Sequence, residues 1–126
     1  MKYLSDYIED AQSELFKRTN TIFAFSKKQF DEQKKEGVKY VNMGQGMLTD
    51  KKYVEDVING LHKIAKEGMA KDLKENGKER VILRELANHE AYYTGEIDAT
   101  YEALKNYGIT QEEIMKMFRN KNAKLN

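Results

Sequence analysis

The apolar residues Val54, Val57, Ile58, Leu61, Ile64, Ala65, Met69 and Leu73 recur at the helical period and form one stripe. They predict a single long helix over about residues 51–75, with Thr49 or Asp50 placed to cap its start and Asn76-Gly77 to stop it. Gly60 and Gly68 interrupt the stripe, at about 1 kcal/mol each relative to alanine. Spaced eight apart, they lie on one side and let another helix approach closely. A helix of this length commits the chain to a mostly helical architecture. The complete absence of proline agrees with that.

The flanking segments add shorter elements. Leu4, Ile8, Ala11 and Leu15 mark an amphipathic helix over residues 3–18, acidic early and basic late as the helix dipole favours. The β-branched and aromatic run at 21–25 predicts a strand. Ser26 and Gln29 then form a capping box, with Phe25 and Phe30 as its hydrophobic staple, opening a helix that runs through Lys35. A second strand is expected at 38–43, and residues 44–48 as a loop leading to the long helix. Strand, short helix, strand reads as a minimal right-handed crossover with two parallel strands. So small a sheet must lean on helices or be extended by a partner chain, which allows a homo-oligomer. Further helices follow at 78–93, 97–107 and from Thr110, where Thr110 and Glu113 form a second capping box stapled by Ile109 and Ile114. The fold class is α+β: a mostly helical domain over 1–120, five to six helices, a small two-stranded unit from 21–25 and 38–43, and a frayed tail at 121–126.

Charge and composition narrow the function. Basic and acidic residues balance, 22 against 21, so no gross bias draws the chain to phosphate or membrane. Lysine outnumbers arginine, 18 to 4, which argues against direct nucleic-acid binding because arginine makes the bidentate phosphate and base contacts. Without cysteine there is no disulfide, thiolate nucleophile or cysteine-based zinc site. The acidic start, Met1-Lys-Tyr-Leu-Ser-Asp, does not read as a signal peptide, and no apolar run is long enough to span a bilayer. A soluble cytoplasmic product is expected.

The densest chemistry lies in Glu85-Leu-Ala-Asn-His-Glu-Ala-Tyr-Tyr-Thr-Gly95. A zinc-protease helix needs His-Glu-x-x-His, and the residue four beyond His89 is Tyr93, so that motif fails. Glu85 sits one turn before His89 and can orient its imidazole. A metal-dependent enzyme using His62, His89 and Glu90 is the least favoured reading; no catalytic residue, metal ligand or cofactor is assigned. The helical period places His89 inward beside Ile82, Leu86 and Tyr93, and leaves Tyr92 and Glu96 for outside contact. Gly44-Gln45-Gly46 lacks the rest of a P-loop or dinucleotide fingerprint, and reads first as a strand-to-helix turn that needs positive φ. A small-ligand or nucleotide pocket built from Gly44, Gln45, Gly46, His89, Glu90 and Tyr93 is the alternative to a protein-binding surface. The candidate binding residues are Gly44, Gln45, Gly46, Glu85, Asn88, His89, Glu90, Tyr92, Tyr93 and Glu96.

Three motifs together, Phe23-Ala-Phe-Ser-Lys-Lys-Gln-Phe30, Gly37-Val-Lys-Tyr-Val-Asn-Met-Gly-Gln-Gly46 and Asn88-His-Glu-Ala-Tyr-Tyr-Thr-Gly-Glu96, resemble a family of small proteins encoded by bacteriophages and prophages. The similarity spans roughly residues 3–114. Members more often carry aspartate where this chain has Glu96. The resemblance implies a phage source and a cytoplasmic location in the bacterial host, but no mechanism. By analogy with other small phage proteins, it suggests a non-enzymatic accessory factor that binds a host protein. An inhibitor of antiviral defence such as an anti-CRISPR, with a defence nuclease complex as target, is one such factor.

Overall fold

The computed structural model describes the backbone of residues 2–125 and the side chains of residues 2–120. The chain divides into two compact units, Met1–Gly68 and Met69–Asn126. The division falls inside the long helix expected from the apolar stripe.

The first unit opens with α1 (Leu4–Arg18). The Tyr3 N–H donates to the Asp6 carboxylate at 2.8 Å, closing the helix start. At its far end the buried Thr19 hydroxyl donates to the Leu15 carbonyl (2.8 Å). The same hydroxyl meets Thr21 Oγ1 at 2.8 Å, which meets Thr49 Oγ1 at 3.1 Å. This hydroxyl chain ties the helix end to the sheet and satisfies polar groups that burial would otherwise penalise.

The sheet comprises β1 (Ile22–Phe23), β2 (Tyr40–Gly44) and β3 (Met47–Asp50), with α2 (Lys27–Gln33) between β1 and β2. Its order is β1-β3-β2 and both pairings are antiparallel. The parallel two-stranded crossover is therefore corrected. The expected strands at 21–25 and 38–43 do form, in shortened or shifted form, but neither pairs with the other. A third strand, read as loop, lies between them. Gly44, Gln45 and Gly46 all adopt positive φ (96°, 52° and 79°), which reverses the chain into a hairpin rather than leading it to a helix.

The Ser26 cap is present, its Oγ accepting from the Gln29 N–H at 3.2 Å. Gln29 Oε1 reaches one residue further back, to the Phe25 N–H at 2.7 Å. Phe25 and Phe30 take separate partners: the Phe30 ring meets Tyr40 edge-on at 5.5 Å, and Phe25 lies against Gly46.

Helix α3 (Val54–Asn76) follows a 3-10 turn at Lys51–Tyr53. Asp50 caps that turn, accepting from the Lys52 N–H at 3.2 Å. The close approach expected at the helix glycines is real. A Cβ on Gly60 would lie 2.9 Å from both Leu15 methyls, and one on Gly68 would run into Ile8 Cγ2.

The second unit holds the end of α3, then α4 (Lys78–Asn88), α5 (Ala91–Thr94), α6 (Asp98–Leu104), a 3-10 turn at Lys105–Tyr107, and α7 (Gln111–Leu125). Its core joins Val81, Ile82, Leu86, Ala91, Leu104, Ile109, Ile114 and Phe118. Each large aliphatic side chain buried there contributes about 1.5–3 kcal/mol. The second capping box forms as expected: Glu113 N–H to Thr110 Oγ1 at 3.2 Å, and Thr110 N–H to Glu113 Oε1 at 3.0 Å. Its staple residues Ile109 and Ile114 both enter the core. Helix α7 runs on to Leu125, beyond the Asn120 at which the sequence reading ended it; Asn126 lies outside the described residues. Seven α-helices and three strands among the described residues make the fold α+β.

Candidate functional site

The stretch 85–95 is not one helix. Helix α4 ends at Asn88, His89 is its cap, and Glu90 sits in the left-handed region at φ 53°. That residue turns the chain and restarts it as the single turn of α5. Every side chain beyond Glu90 is rotated away from the register of an uninterrupted helix. The consequences overturn the sequence-based assignments. Tyr93, expected in the core, is 92% exposed. Tyr92, expected outside, is half-buried and stacked on Phe118, with ring centroids 5.2 Å apart and planes 16° apart. His89 is partly exposed rather than inward, and Glu90 is exposed. Glu96 is exposed, its N–H donating to Thr94 Oγ1 at 3.2 Å.

Glu85, Asn88 and His89 do come together. The Glu85 carboxylate is buried; one oxygen accepts from Asn88 Nδ2 at 3.3 Å and lies 3.7 Å from His89 Nε2. Its other oxygen faces Arg84, at 3.3 Å from Nε and 3.2 Å from a terminal nitrogen. Arg84 in turn forms a bidentate pair with Asp72, two bonds of 2.9 Å. The Tyr107 hydroxyl donates to Asp72 Oδ2 at 2.6 Å, and Asn76 Nδ2 donates to Oδ1 at 2.8 Å. The Thr100 hydroxyl donates to the Glu85 carbonyl at 3.3 Å, fastening α6 to α4.

Asp72 thus accepts four hydrogen bonds at a fully buried position. Burial pushes its carboxyl up, but the bonds from Arg84, Tyr107 and Asn76 outweigh that and hold it below the ordinary carboxylate range. Arg84 also loses hydration, yet Asp72 and Glu85 keep its guanidinium charged beyond its ordinary value. Burial, reinforced by the bond to Asp72, pushes the Tyr107 hydroxyl up. At neutral pH the carboxylate, guanidinium and phenol are therefore locked in one protonation state each. Such an arrangement fixes α3, α4 and the turn after α6 to one another; it offers no group poised for proton transfer.

Sequence reasoning missed Asp72, Arg84 and Tyr107 as one set. Two signals were available. Asp72 lies within the apolar stripe beside Met69 and Leu73, and Arg84 sits among Val81, Ile82 and Leu86 as one of only four arginines. Among the described residues no three His, Asp or Glu side chains gather to hold a metal ion. Nor is any helix of the described residues long and apolar enough to cross a membrane.

The remaining candidates, Gly44, Gln45 and Gly46, lie in the first unit as the β2–β3 turn. The Gly44 N–H is taken by Asn42 Oδ1 at 2.8 Å. Beside this turn is a shallow groove whose lining includes Phe25, Lys27, Phe30, Tyr40, Asn42 and Leu48. Phe25 is 75% exposed. Its ring lies over Gly46, where a Cβ would come within 2.6 Å of it, and its N–H is held by Gln29 Oε1 at 2.7 Å. Gln33 Nε2 donates to the Phe23 carbonyl at 2.8 Å and clamps α2 to β1 behind it.

A family profile matches residues 4–125, from the first residue of α1 to the last of α7. The chain belongs to a family of unknown function, DUF7659. The family's extent therefore takes in the sheet, the groove and the buried ionic network alike. No curated protein and no solved structure matches the chain.

Proposed function

We propose that this member of the family is a non-catalytic binding protein that acts by direct contact with another protein. The observation that carries this reading is the pair of solvent-facing aromatics, Phe25 at 75% and Tyr93 at 92% exposure. An aromatic side chain held in water costs hydration free energy and brings back contact energy only when a partner covers it. The groups best suited to chemistry, Asp72, Arg84 and Tyr107, are meanwhile consumed by one another.

The finer reading is a phage-encoded factor in the host cytoplasm, directed at a host protein such as a component of an antiviral defence nuclease. It rests on the resemblance of the three motifs alone. Affinity-tagged wild type, Phe25→Ser and Tyr93→Ser expressed in a bacterial host test both levels. A partner retained by the wild type and lost with either variant supports binding. Relief of CRISPR or restriction interference against an incoming phage, again lost with the variant, supports the defence reading. No aromatic-dependent partner in any tested host overturns the first, and unchanged interference overturns the second.

A further inference from the structure

We infer that the outer edge of β2 and the groove beside it form a strand-addition site for an extended, acidic segment of a partner protein. This rests on the binding-protein reading and specifies its surface and the chemistry of its ligand. The sheet order leaves β2 at one side, and no strand among the described residues pairs with its outer edge. The register fixes which groups face out. The Lys51 N–H donates to the Lys39 carbonyl at 2.8 Å and Val41 pairs with Thr49, so residues 39 and 41 turn their backbone toward β3. Antiparallel alternation then turns the N–H and C=O of Tyr40 and Asn42 away from the sheet.

Edge strands are normally blunted by proline, lysine or an inward charge. Tyr40-Val-Asn-Met-Gly44 has none of these, and its one irregularity, a bulge, sits at the Gly44 end. A strand added there would send alternate side chains over the face that carries Tyr40, Asn42 and Leu48, into the groove between Phe25 and Phe30. Asn42 and Phe25 are exposed, so this path is open.

Charge selects the occupant. The only charged side chain lining the groove is Lys27. Lys28 follows it, and Lys39 stands at the start of the edge, all three exposed. Among the described residues no carboxylate pairs with Lys27, Lys28 or Lys39. An apolar residue in the groove flanked by carboxylates over the lysines satisfies both features.

The test uses the full chain and a short acetylated, amidated peptide alternating glutamate with valine, with amide shifts followed by NMR. Shifts concentrated at residues 39–44 and around Phe25 are expected. Affinity should fall at least about ten-fold for the lysine–valine counterpart, for the acidic peptide N-methylated at alternate amides, for Phe25→Ser, and for Lys27→Glu combined with Lys28→Glu. The N-methylated probe interrogates strand pairing without altering the protein, so the result does not depend on a variant folding. Tyr93→Ser should bind like the wild type. Equal binding of the N-methylated or basic peptide overturns the inference. So does binding of an oligothymidylate in place of the peptide, which would mark a base-stacking surface, or edge shifts that appear on concentration alone, which would mark self-association. A partner captured through Tyr93, with no peptide binding at β2, overturns this site and leaves the binding reading standing. Peptide binding at β2 with no partner in any host does the reverse.

Discussion

Replacing Asp72 by asparagine tests whether the buried ionic network is a main support of the second unit. The substitution keeps shape and removes charge. One of the two Arg84 bonds then meets an amide N–H instead of an oxygen, and the guanidinium, 4% exposed, is left with the Glu85 carboxylate at 3.2 Å as its negative neighbour. Removing one member of a buried pair costs about 3–5 kcal/mol, because the other charge is left in a poorly hydrated site. The Tyr107 bond adds to this: a 2.6 Å contact to a charged acceptor is worth roughly 1.5–3 kcal/mol when broken. The comparison is the Lys78–Glu113 pair, at 2.8 Å against 2.9 Å for Arg84–Asp72 but with side chains 52% and 34% exposed. Solvent screens such a pair almost completely. Urea unfolding followed by circular dichroism, with hydrogen exchange of the α4 amides, reads both. Asp72→Asn should accelerate α4 exchange by about two to four decades, and Lys78→Met by less than one. Exchange in α4 that responds equally to the two variants would refute the reasoning. Joint replacement Asp72→Leu with Arg84→Met should recover much of the loss, since an apolar pair avoids the desolvation cost altogether.

Gly68→Ala forces a methyl onto the stiff, β-branched Ile8, so crowding of about 1–3 kcal/mol outweighs the roughly 1 kcal/mol gained in helix propensity. Gly60→Ala meets both methyls of the fully buried Leu15 at 2.9 Å, a milder overlap than at Gly68; thermal unfolding of both variants should show the larger drop in Tm for Gly68→Ala. Glu90→Gly should raise Tm by relieving the left-handed backbone at φ 53°, whereas Glu90→Val should lower it, because a β-branched residue tolerates that region worst. Stability should fall on both flanks of a pH series. Asp72 is depressed in the folded state, so its contribution is complete above the unfolded carboxylate value of about 4 and is lost as pH drops through its folded value. Tyr107 is raised, so its contribution is complete below the unfolded value of about 10 and is lost as pH climbs past that. Tyr107→Phe should flatten the alkaline flank specifically.

Local signals in the sequence translated into structure where the interaction they describe is itself local. The Ser26 and Thr110 caps bind backbone within three residues. The Gly60 and Gly68 spacing marks one helix face whatever helix meets it. Strand pairing is different in kind. Nothing in residues 21–25 or 38–43 states which neighbour accepts their hydrogen bonds, and the deciding feature was the Gly44-Gln45-Gly46 turn, whose three positive φ values make a hairpin. Glycine on both sides of a polar residue was the available sign. Reading it as the approach to a helix lost the third strand, and with it the antiparallel order that leaves β2 at the edge.

The misplacement of Tyr92 and Tyr93 has a sharper cause. Residues 78–93 keep a helical apolar period in the sequence, and no glycine or proline interrupts it. The break at Glu90 is carried by tertiary packing. With Ala91 buried and Tyr92 stacked on Phe118, core contacts outweigh the roughly 1–2 kcal/mol that a non-glycine residue spends in the left-handed region. One turned residue exchanges the environments of two adjacent tyrosines, so an exposed aromatic is produced where periodicity demands a buried one. Arg84 and Glu85 show the converse: charged residues inside an otherwise apolar helix surface that become buried because Asp72, 12 residues earlier, supplies a carboxylate to Arg84 and the same guanidinium faces Glu85. At Glu90 periodicity misplaced the face, because it carried one register through a turned residue; at Arg84 it could not say what would meet the face. That is why much of the helical scaffold was legible in this chain, while the exposure of Tyr93 and the unpaired edge of β2 emerge only from the fold.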